Sequence, residues 1–180
     1  QVDPEAREAY EAFVDHLGDC VTHAALPDIV RNVAPWLATL NESELAFCLQ
    51  KEWLHSRSQL SEPLQARIEK SMAIPVTDYL VAKDRQFHVM SAFDEYFASY
   101  DAILCPAALG TAPLGLESTG NPIMQTVWSF AGLPSLNLPL MNLSNGLPLG
   151  VQAVGAHQND ARLLRSARWL VAEFVKRNLA

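Results

Sequence analysis

The chain has 180 residues, of which 49% are apolar and 18% charged, and its formal net charge is −7. These values are typical of one globular domain with a core of its own, and they argue against a nucleic-acid partner or an anionic membrane surface, since both need concentrated positive charge. No apolar run approaches the roughly 18 residues of a membrane-spanning helix.

The chain begins without Met and shows no basic-then-apolar leader. We therefore expect a processed or truncated chain without an export signal, located in the cytoplasm. Three widely spaced cysteines do not suggest a disulfide framework. Cys48 and Cys105 have apolar neighbours, and both are expected to be buried thiols.

Residues 1–99 are predicted to be mainly helical. Asp3 is placed to cap the first helix, Pro4 suits its first turn, and Gly18 can end it. The weak alternation of residues 20–26 favours a short strand.

Further helix signals follow along the chain. Pro27 and Pro35 bracket a helical piece. The capping-box pattern of residues 41–44 predicts that a longer helix starts there and runs to about residue 58. Two more starts are predicted at residues 61–63 and at residues 77–78, and the last of these helices runs to about residue 99.

Residues 100–155 are predicted to form the sheet core and its loops. The short apolar run 102–105 predicts a central strand that is buried on both faces. Residues 135–141 and 149–155 flank the turn signal Ser-Asn-Gly at 144–146, which favours an antiparallel hairpin, and Pro139 indicates an edge or a bulge.

The connection between the first strand and the hairpin, residues 106–124, is long and rich in Pro, Gly and Thr, as functional or disordered loops are. Residues 156–180 are predicted to carry a C-terminal helix that begins at Asn159 and Asp160. The fold class is α/β, with the strands of a mixed sheet flanked by helices.

No self-sufficient catalytic motif is present in the sequence. There is no Gly-x-Ser-x-Gly elbow, no His-Glu-x-x-His and no phosphate loop. Cys105 has no activating base nearby in sequence, and Asp101 favours a structural role because no second carboxylate is placed beside it. Two further residue sets could form a site. One is a zinc site from Cys20, His23, Cys48 and His55, and the other is a serine triad from His157 and Asp160 with Ser129, Ser135 or Ser144. For both sets we favour structural roles of these residues over a site.

Residues 85–170 resemble the C-terminal part of the amidase signature hydrolases. The resemblance rests on an Arg-containing helix, on Asp-x-x-Leu-x-Pro at 101–106, on Ala-Gly-Leu-Pro-Ser-Leu-Asn-Leu-Pro at 131–139, on Gly-Leu-Pro-Leu-Gly-Val-Gln-Ala-Val-Gly at 146–155, and on an Asp-x-x-Leu-Leu helix start at 160–164. Residues 1–84 resemble the helical segment that precedes this part. By resemblance, residues 1–180 are the C-terminal part of one amidase-type domain.

The resemblance implies hydrolysis of carboxylic amides by a serine nucleophile, a second serine in a cis peptide and a lysine base, with no metal and no organic cofactor. Those residues belong to a glycine- and serine-rich segment in the N-terminal half of the family, and no Gly-Gly-Ser-Ser-Gly type segment occurs here. We therefore expect no catalytic residue in this chain and no activity from it alone. The implied partners are the N-terminal half, a small-molecule amide and, as an open alternative, a second copy of the chain.

By resemblance the C-terminal half lines the substrate pocket. The substrate-binding positions predicted on this basis are Gln125, Trp128, Met124 and Ala107. Relatives often carry Thr at the position of Gln125 and Asn at the position of Ser129. This sequence departs from the pattern at both positions, so the identity of the substrate stays open. Trp128 would suit an apolar or aromatic acyl group, and the alternative is a core tryptophan.

Two other interpretations remain open. One is a binding or assembly module that keeps the fold without the chemistry, and the other is part of an amidotransferase subunit that works with partner chains. If a missing half covers one side of the sheet, an apolar patch should be exposed there and cause self-association.

Overall fold

The computed structural model describes residues 2–178, which form seven α-helices and three short 3₁₀ turns around a small sheet. The helices are α1 (Pro4–Leu17), α2 (Val33–Cys48), α3 (Gln50–His55), α4 (Glu62–Met72), α5 (Val76–Tyr96), α6 (Ile123–Ala131) and α7 (Asp160–Asn178). In this part of the chain no helix is long and apolar enough to cross a membrane.

The sheet has three strands, β1 (Ile103–Pro106), β2 (Ser135–Asn142) and β3 (Pro148–Val154), in the order β1-β3-β2. Both pairings within residues 2–178 are antiparallel. The prediction of strands flanked by helices is confirmed. The prediction that β1 is central and buried on both faces is wrong: β1 is an edge strand and half-buried, whereas β3 is central and buried from Leu149 onward.

The predicted hairpin is confirmed. β2 and β3 pair from Ser135↔Val154 to Asn142↔Pro148, and the register shifts between Leu138 and Met141. Pro139 lies inside this irregularity because it has no N–H to donate to the ladder. At the turn, Gly146 has φ 76°, a left-handed conformation that glycine adopts without steric cost.

The first helix begins and ends as predicted. The Asp3 carboxylate accepts hydrogen bonds from the N–H groups of Glu5 and Ala6, at 3.0 and 3.2 Å. Gly18 follows the helix with φ 55°. The predicted strand at residues 20–26 is wrong, because Gly18–Cys20 forms a 3₁₀ turn and the chain after it belongs to no strand.

The second helix starts earlier than predicted. α2 begins at Val33, so Pro35 lies in its first turn, where a missing N–H costs no helical hydrogen bond, and residues 41–44 lie in mid-helix. Glu42 is not a cap residue there; its carboxylate pairs with Arg67 at 2.8 Å and accepts from Ser71 at 2.7 Å, which joins α2 to α4. α5 likewise begins at Val76, one residue before the predicted cap.

Two apolar clusters hold the helices to the sheet. One contains residues of α2, α5, α6 and the end of β3, including Val33, Phe93, Trp128, Phe130 and Val154. The other joins α1 and α7 to the hairpin and includes Phe13, Leu17, Met141, Val151 and Leu170. The central strand β3 contributes side chains to both clusters, so it lies between two packed layers.

Among the described residues, the exposed large apolar side chains lie on helices, on the loop after β1 and, as Leu147, in the hairpin turn, and none lies in a strand. The predicted position of an apolar patch on the sheet is therefore wrong. On α5, Ala82, Val89 and Phe93 are buried, whereas Val76, Leu80 and Phe87 recur at helical spacing on the opposite side. We call the set Phe47, Met72, Val76, Leu80 and Phe87, each between 59% and 78% exposed, the α5 apolar surface.

We expect this surface to cause self-association, because Phe47, Met72 and Val76 line one shallow pocket and monomeric proteins rarely expose large contiguous apolar patches. Phe47→Glu should shift the purified chain toward monomer in light scattering across a concentration series. Leu114→Glu is the matched control, since Leu114 is fully exposed on the loop after β1. A wild-type chain that stays monomeric at every concentration would contradict the prediction.

Candidate functional site

A groove of about 1120 Å³ runs along β1, and Ala153 of β3 is among the residues that line it. Its walls come from α1, from residues 20–24, from β1 and from α7, and Trp128 and Pro106 also line it. The Tyr10 hydroxyl donates to the carbonyl oxygen of Leu104 at 2.8 Å, so it occupies one acceptor on this strand edge. The groove is a concave surface that could hold a ligand or another chain segment.

Two of the predicted substrate-binding residues are in direct contact. The Gln125 side-chain amide nitrogen donates a hydrogen bond to the carbonyl oxygen of Ala107, although 18 positions separate them. The N–H of Ala107 donates to the Gly150 carbonyl oxygen at 2.9 Å. Ala107 therefore links β3 to the first turn of α6, and the half-buried Met124 lies beside this link in sequence.

Trp128 lies one turn further along α6 and is only 5% exposed. Its ring packs edge-on against Phe93, with centroids 5.8 Å apart, and it belongs to the larger apolar cluster. The same residue lines the groove. The structure thus gives Trp128 the packing of a core residue at a position that borders the candidate site, and its contact with a substrate stays a prediction.

Cys105 is a poor candidate for a nucleophile. Burial raises the pKa of its thiol to about 11, and the neighbouring Trp128 indole acts in the opposite direction with a smaller effect. Its sulfur donates to the Gln152 side-chain oxygen at 3.6 Å. At neutral pH the group is therefore a thiol, whereas the thiolate is the reactive form.

The alternative metal and triad sets are not assembled. Cys20 and Cys48 are exposed, so the prediction of a buried Cys48 is wrong, because apolar neighbours in sequence do not make a helix position face the core. Residues 2–178 contain no group of three His, Cys, Asp or Glu side chains placed to hold a metal ion. The His157 ring contacts the Gly132 carbonyl oxygen at 3.0 Å and has no serine as a hydrogen-bond partner in the described part of the chain.

Several polar contacts at the groove were not identified from the sequence. Arg162 on α7 pairs with Asp101 at 2.6 Å, which agrees with a structural role for Asp101 at the start of β1. Gln152 is buried at 5% exposure, and the only sequence signal was a lone polar residue in the apolar run of β3. The contact between Tyr10 and Leu104 spans 94 positions and had no local signal.

The fold and the sequence motifs define an amidase-type chain. The amidase family model matches residues 2–164, and the chain belongs to this family, as the counterpart of its C-terminal portion. It is 38% identical over 96 residues to the A subunit of the glutamyl-tRNA(Gln) amidotransferase of Agathobacter rectalis, a match that covers 49% of this chain and 19% of that protein. The corresponding protein of Neisseria meningitidis serogroup A is 36% identical over 95 residues, covering 49% of this chain and 20% of that protein.

Solved structures share the fold. One described as an amidase superimposes with a TM-score of 0.82 at 24% identity, covering 95% of this chain and 42% of the other. A 6-aminohexanoate cyclic dimer hydrolase in complex with substrate gives a TM-score of 0.74 at 17% identity, covering 98% and 42%. The chain therefore spans less than half of the length of these structures, and its matched segment about a fifth of the curated relatives.

Proposed function

We propose that this chain forms the scaffold and one wall of the substrate pocket of an amide-hydrolysing enzyme, and that the nucleophile lies outside residues 1–180. The observation that supports the proposal is that Pro106 and Trp128 line the groove, in a chain of the amidase family whose half-buried Cys105 is held as a thiol. The reaction is addition of water to a carboxylic amide, which gives an acid and ammonia or an amine.

The proposed wall lies at the end of β1 and on the first turns of α6, where Trp128 lines the groove and Ala107, Met124 and Gln125 do not. Ala107, Met124, Gln125 and Trp128 are the proposed substrate-facing positions. The indole of Trp128 offers apolar area and ring contacts, so an apolar or aromatic acyl group is the preferred substrate class. By resemblance to the amidase signature hydrolases, the two serines and the lysine come from the other half of the domain, and no cofactor takes part.

The open edge of β1 supports the need for a complement. Within residues 2–178, β1 pairs with β3 alone, and all four residues of β1 line the groove. An unpaired strand edge presents backbone donors and acceptors that another strand can satisfy. The remaining part of an amidase domain is the proposed occupant of this groove, where it would bring its catalytic residues toward Pro106 and Trp128.

Ammonia release from benzamide tests the proposal directly. We expect the product of the complete gene to hydrolyse benzamide, and the purified 180-residue chain to show no turnover above buffer. Turnover by the 180-residue chain would place a nucleophile inside it. A complete product that is folded yet inactive on a panel of aliphatic and aromatic amides would refute amide hydrolysis, in favour of the non-catalytic module.

A second candidate is that the chain belongs to one component of a multi-chain amidotransferase. The observation in its favour is the 38% identity to a component of a glutamyl-tRNA(Gln) amidotransferase. This candidate predicts a stable complex with other chains, which native mass spectrometry of the complete gene product, isolated from its source cells, would detect. A free-standing enzyme that hydrolyses amides without partner chains would decide for the first candidate.

A further inference from the structure

One face of α7 forms a wall of the groove beside β1. We call this face the α7 wall, and its residues, which all line the groove, are Arg162, Arg165, Ser166 and Trp169. They follow one another at helical spacing, so they share one side of α7. The neighbouring side is buried through Leu163, Ala167 and Leu170. The α7 wall is therefore held in place by the core and turned toward the groove.

The α7 wall carries a positive charge that has no partner. The Arg162 guanidinium is paired with the Asp101 carboxylate at 2.6 Å, and Asp101 is the one carboxylate among the described residues that line the groove. Arg165 forms no ion pair within residues 2–178. The groove thus has one guanidinium more than it has carboxylates, although the whole chain has a formal net charge of −7.

A chain segment that fills the groove would remove water from the Arg165 guanidinium. A charge that is covered without a partner is strongly unfavourable, whereas a guanidinium and a carboxylate form charge-assisted, often bidentate hydrogen bonds. Trp169 lies one turn further along α7, and its side chain, 49% exposed, offers apolar ring area to the same segment. The α7 wall therefore favours an occupant that presents a carboxylate beside an apolar side chain.

The edge of β1 cannot supply this recognition by backbone pairing alone. The N–H of Ala107 donates to β3, so the alternation of an antiparallel pair turns the backbone groups of Leu104 and Pro106 outward. The Leu104 carbonyl oxygen already accepts from the Tyr10 hydroxyl, and proline has no N–H. A strand laid along β1 thus finds few partners, and side chains of the groove must contribute to its recognition.

Charge and length distinguish between two possible occupants. A second copy docked groove to groove would bring another unpaired Arg165, and its Asp101 would already be paired with Arg162. The remaining part of an amidase domain has no such restriction. It is also large enough, because this chain covers 42% of the amidase structure that shares its fold.

We propose that a segment from the remaining part of the amidase domain fills this groove and pairs an Asp or Glu side chain with Arg165. The inference rests on the proposed function and deepens it, because it names the contact through which the two parts of the domain recognise each other. Arg165 is a docking residue in this arrangement and takes no part in the chemistry.

Carbodiimide cross-linking of the complete gene product tests the contact. The reagent joins a lysine amine to a carboxylate that touches it, so Arg165→Lys converts the proposed ion pair into a covalent amide. We expect mass spectrometry of the digest to show position 165 joined to an Asp or Glu outside residues 1–180. The link should also form at high salt, because covered ion pairs are screened much less than exposed ones.

Arg168→Lys is the matched control for the cross-linking. Arg168 is exposed on the same helix and does not line the groove, so this variant should give no link to a residue outside residues 1–180. A second pair of variants checks the energetic role. Arg165→Gln should lower the melting temperature of the complete product more than Arg168→Gln does, since it leaves a covered carboxylate unpaired.

The outcomes separate this inference from the proposed function. A link from position 165 to Asp101 or to a second copy, or no link at all, would overturn the inference, and so would equal melting temperatures of Arg165→Gln and Arg168→Gln. Amide hydrolysis is measured independently by ammonia release from benzamide. A complete product that forms the expected link and hydrolyses no amide would refute the proposed function and leave the Arg165 contact standing.

Discussion

Phe93→Ala is expected to lower the free energy of unfolding of the chain by about 3–5 kcal/mol, the range for truncation of a buried aromatic side chain. Phe93 is fully buried on α5. Its ring lies within 6.2 Å of Phe97 and 5.8 Å of Trp128, between centroids. Its removal therefore leaves a cavity where α5 meets α6, and the surrounding rings cannot all collapse into it.

Urea denaturation followed by circular dichroism measures this loss. The matched control is Phe87→Ala on the same helix, since Phe87 is 66% exposed and points away from the cluster. Its effect should stay within about 0.5 kcal/mol when both proteins are kept dilute enough to be monomeric. Equal losses for the two substitutions would mean that α5 does not pack as the structure has it.

Features of the fold that depend on neighbours in sequence were predictable. The Asp3 cap, the Gly18 stop, the turn at residues 144–146 and the irregularity at Pro139 each follow from one residue's backbone or side-chain chemistry. The early start of α2 is not predictable in this way, because Pro35 fits both a helix boundary and a first helical turn. A local signal with two structural meanings is resolved only by what the helix packs against.

The strand order shows where sequence reasoning stops. The run before Pro106 is short and apolar, as central strands often are, yet β1 lies at the edge of the sheet. β3 is central because both of its neighbours pair with it and apolar clusters cover its two faces. Lateral order depends on contacts between distant segments, and periodicity within one strand does not contain that information.

The candidate site is likewise predictable from the sequence only in part. Gln125 and Trp128 could be named because the amidase resemblance places α6 at the pocket, and their spacing of three puts them on neighbouring turns. The hydrogen bond from Gln125 to Ala107 and the ion pair of Asp101 with Arg162 join segments 18 and 61 positions apart. Such pairs have no signature in a single sequence, because they depend on how distant segments of the chain pack together.

The stability of the chain is expected to fall as the pH rises from 9 to 11. Burial raises the pKa of Cys105 from 9.0 to about 11 in the folded chain. Between these values the unfolded chain has released the thiol proton and the folded chain still binds it, so each increase in pH favours unfolding. A shift of two units corresponds to at most about 3 kcal/mol, all of it retained below pH 9 and lost by pH 11.

Deprotonation of Tyr10 also lowers the stability of the folded chain, at higher pH than that of Cys105. Burial raises its pKa above the ordinary value of 10.0, and negative charge on Cys105 adds to the effect. Both groups lie near the Leu104 carbonyl, since Cys105 follows Leu104 in β1 and the Tyr10 hydroxyl donates to the Leu104 carbonyl oxygen. Titration of either group therefore puts a charge at the edge of β1, where the groove begins.

Unfolding free energies measured by urea denaturation at pH 7, 9 and 10.5 test this coupling. Cys105→Ala should flatten the decline between pH 9 and 10.5, whatever its constant cost from the lost side chain. Cys48→Ala removes an exposed thiol and should keep the wild-type slope. An unchanged slope in Cys105→Ala would show that the thiol is solvated, and it would remove the main ground for excluding Cys105 as a nucleophile.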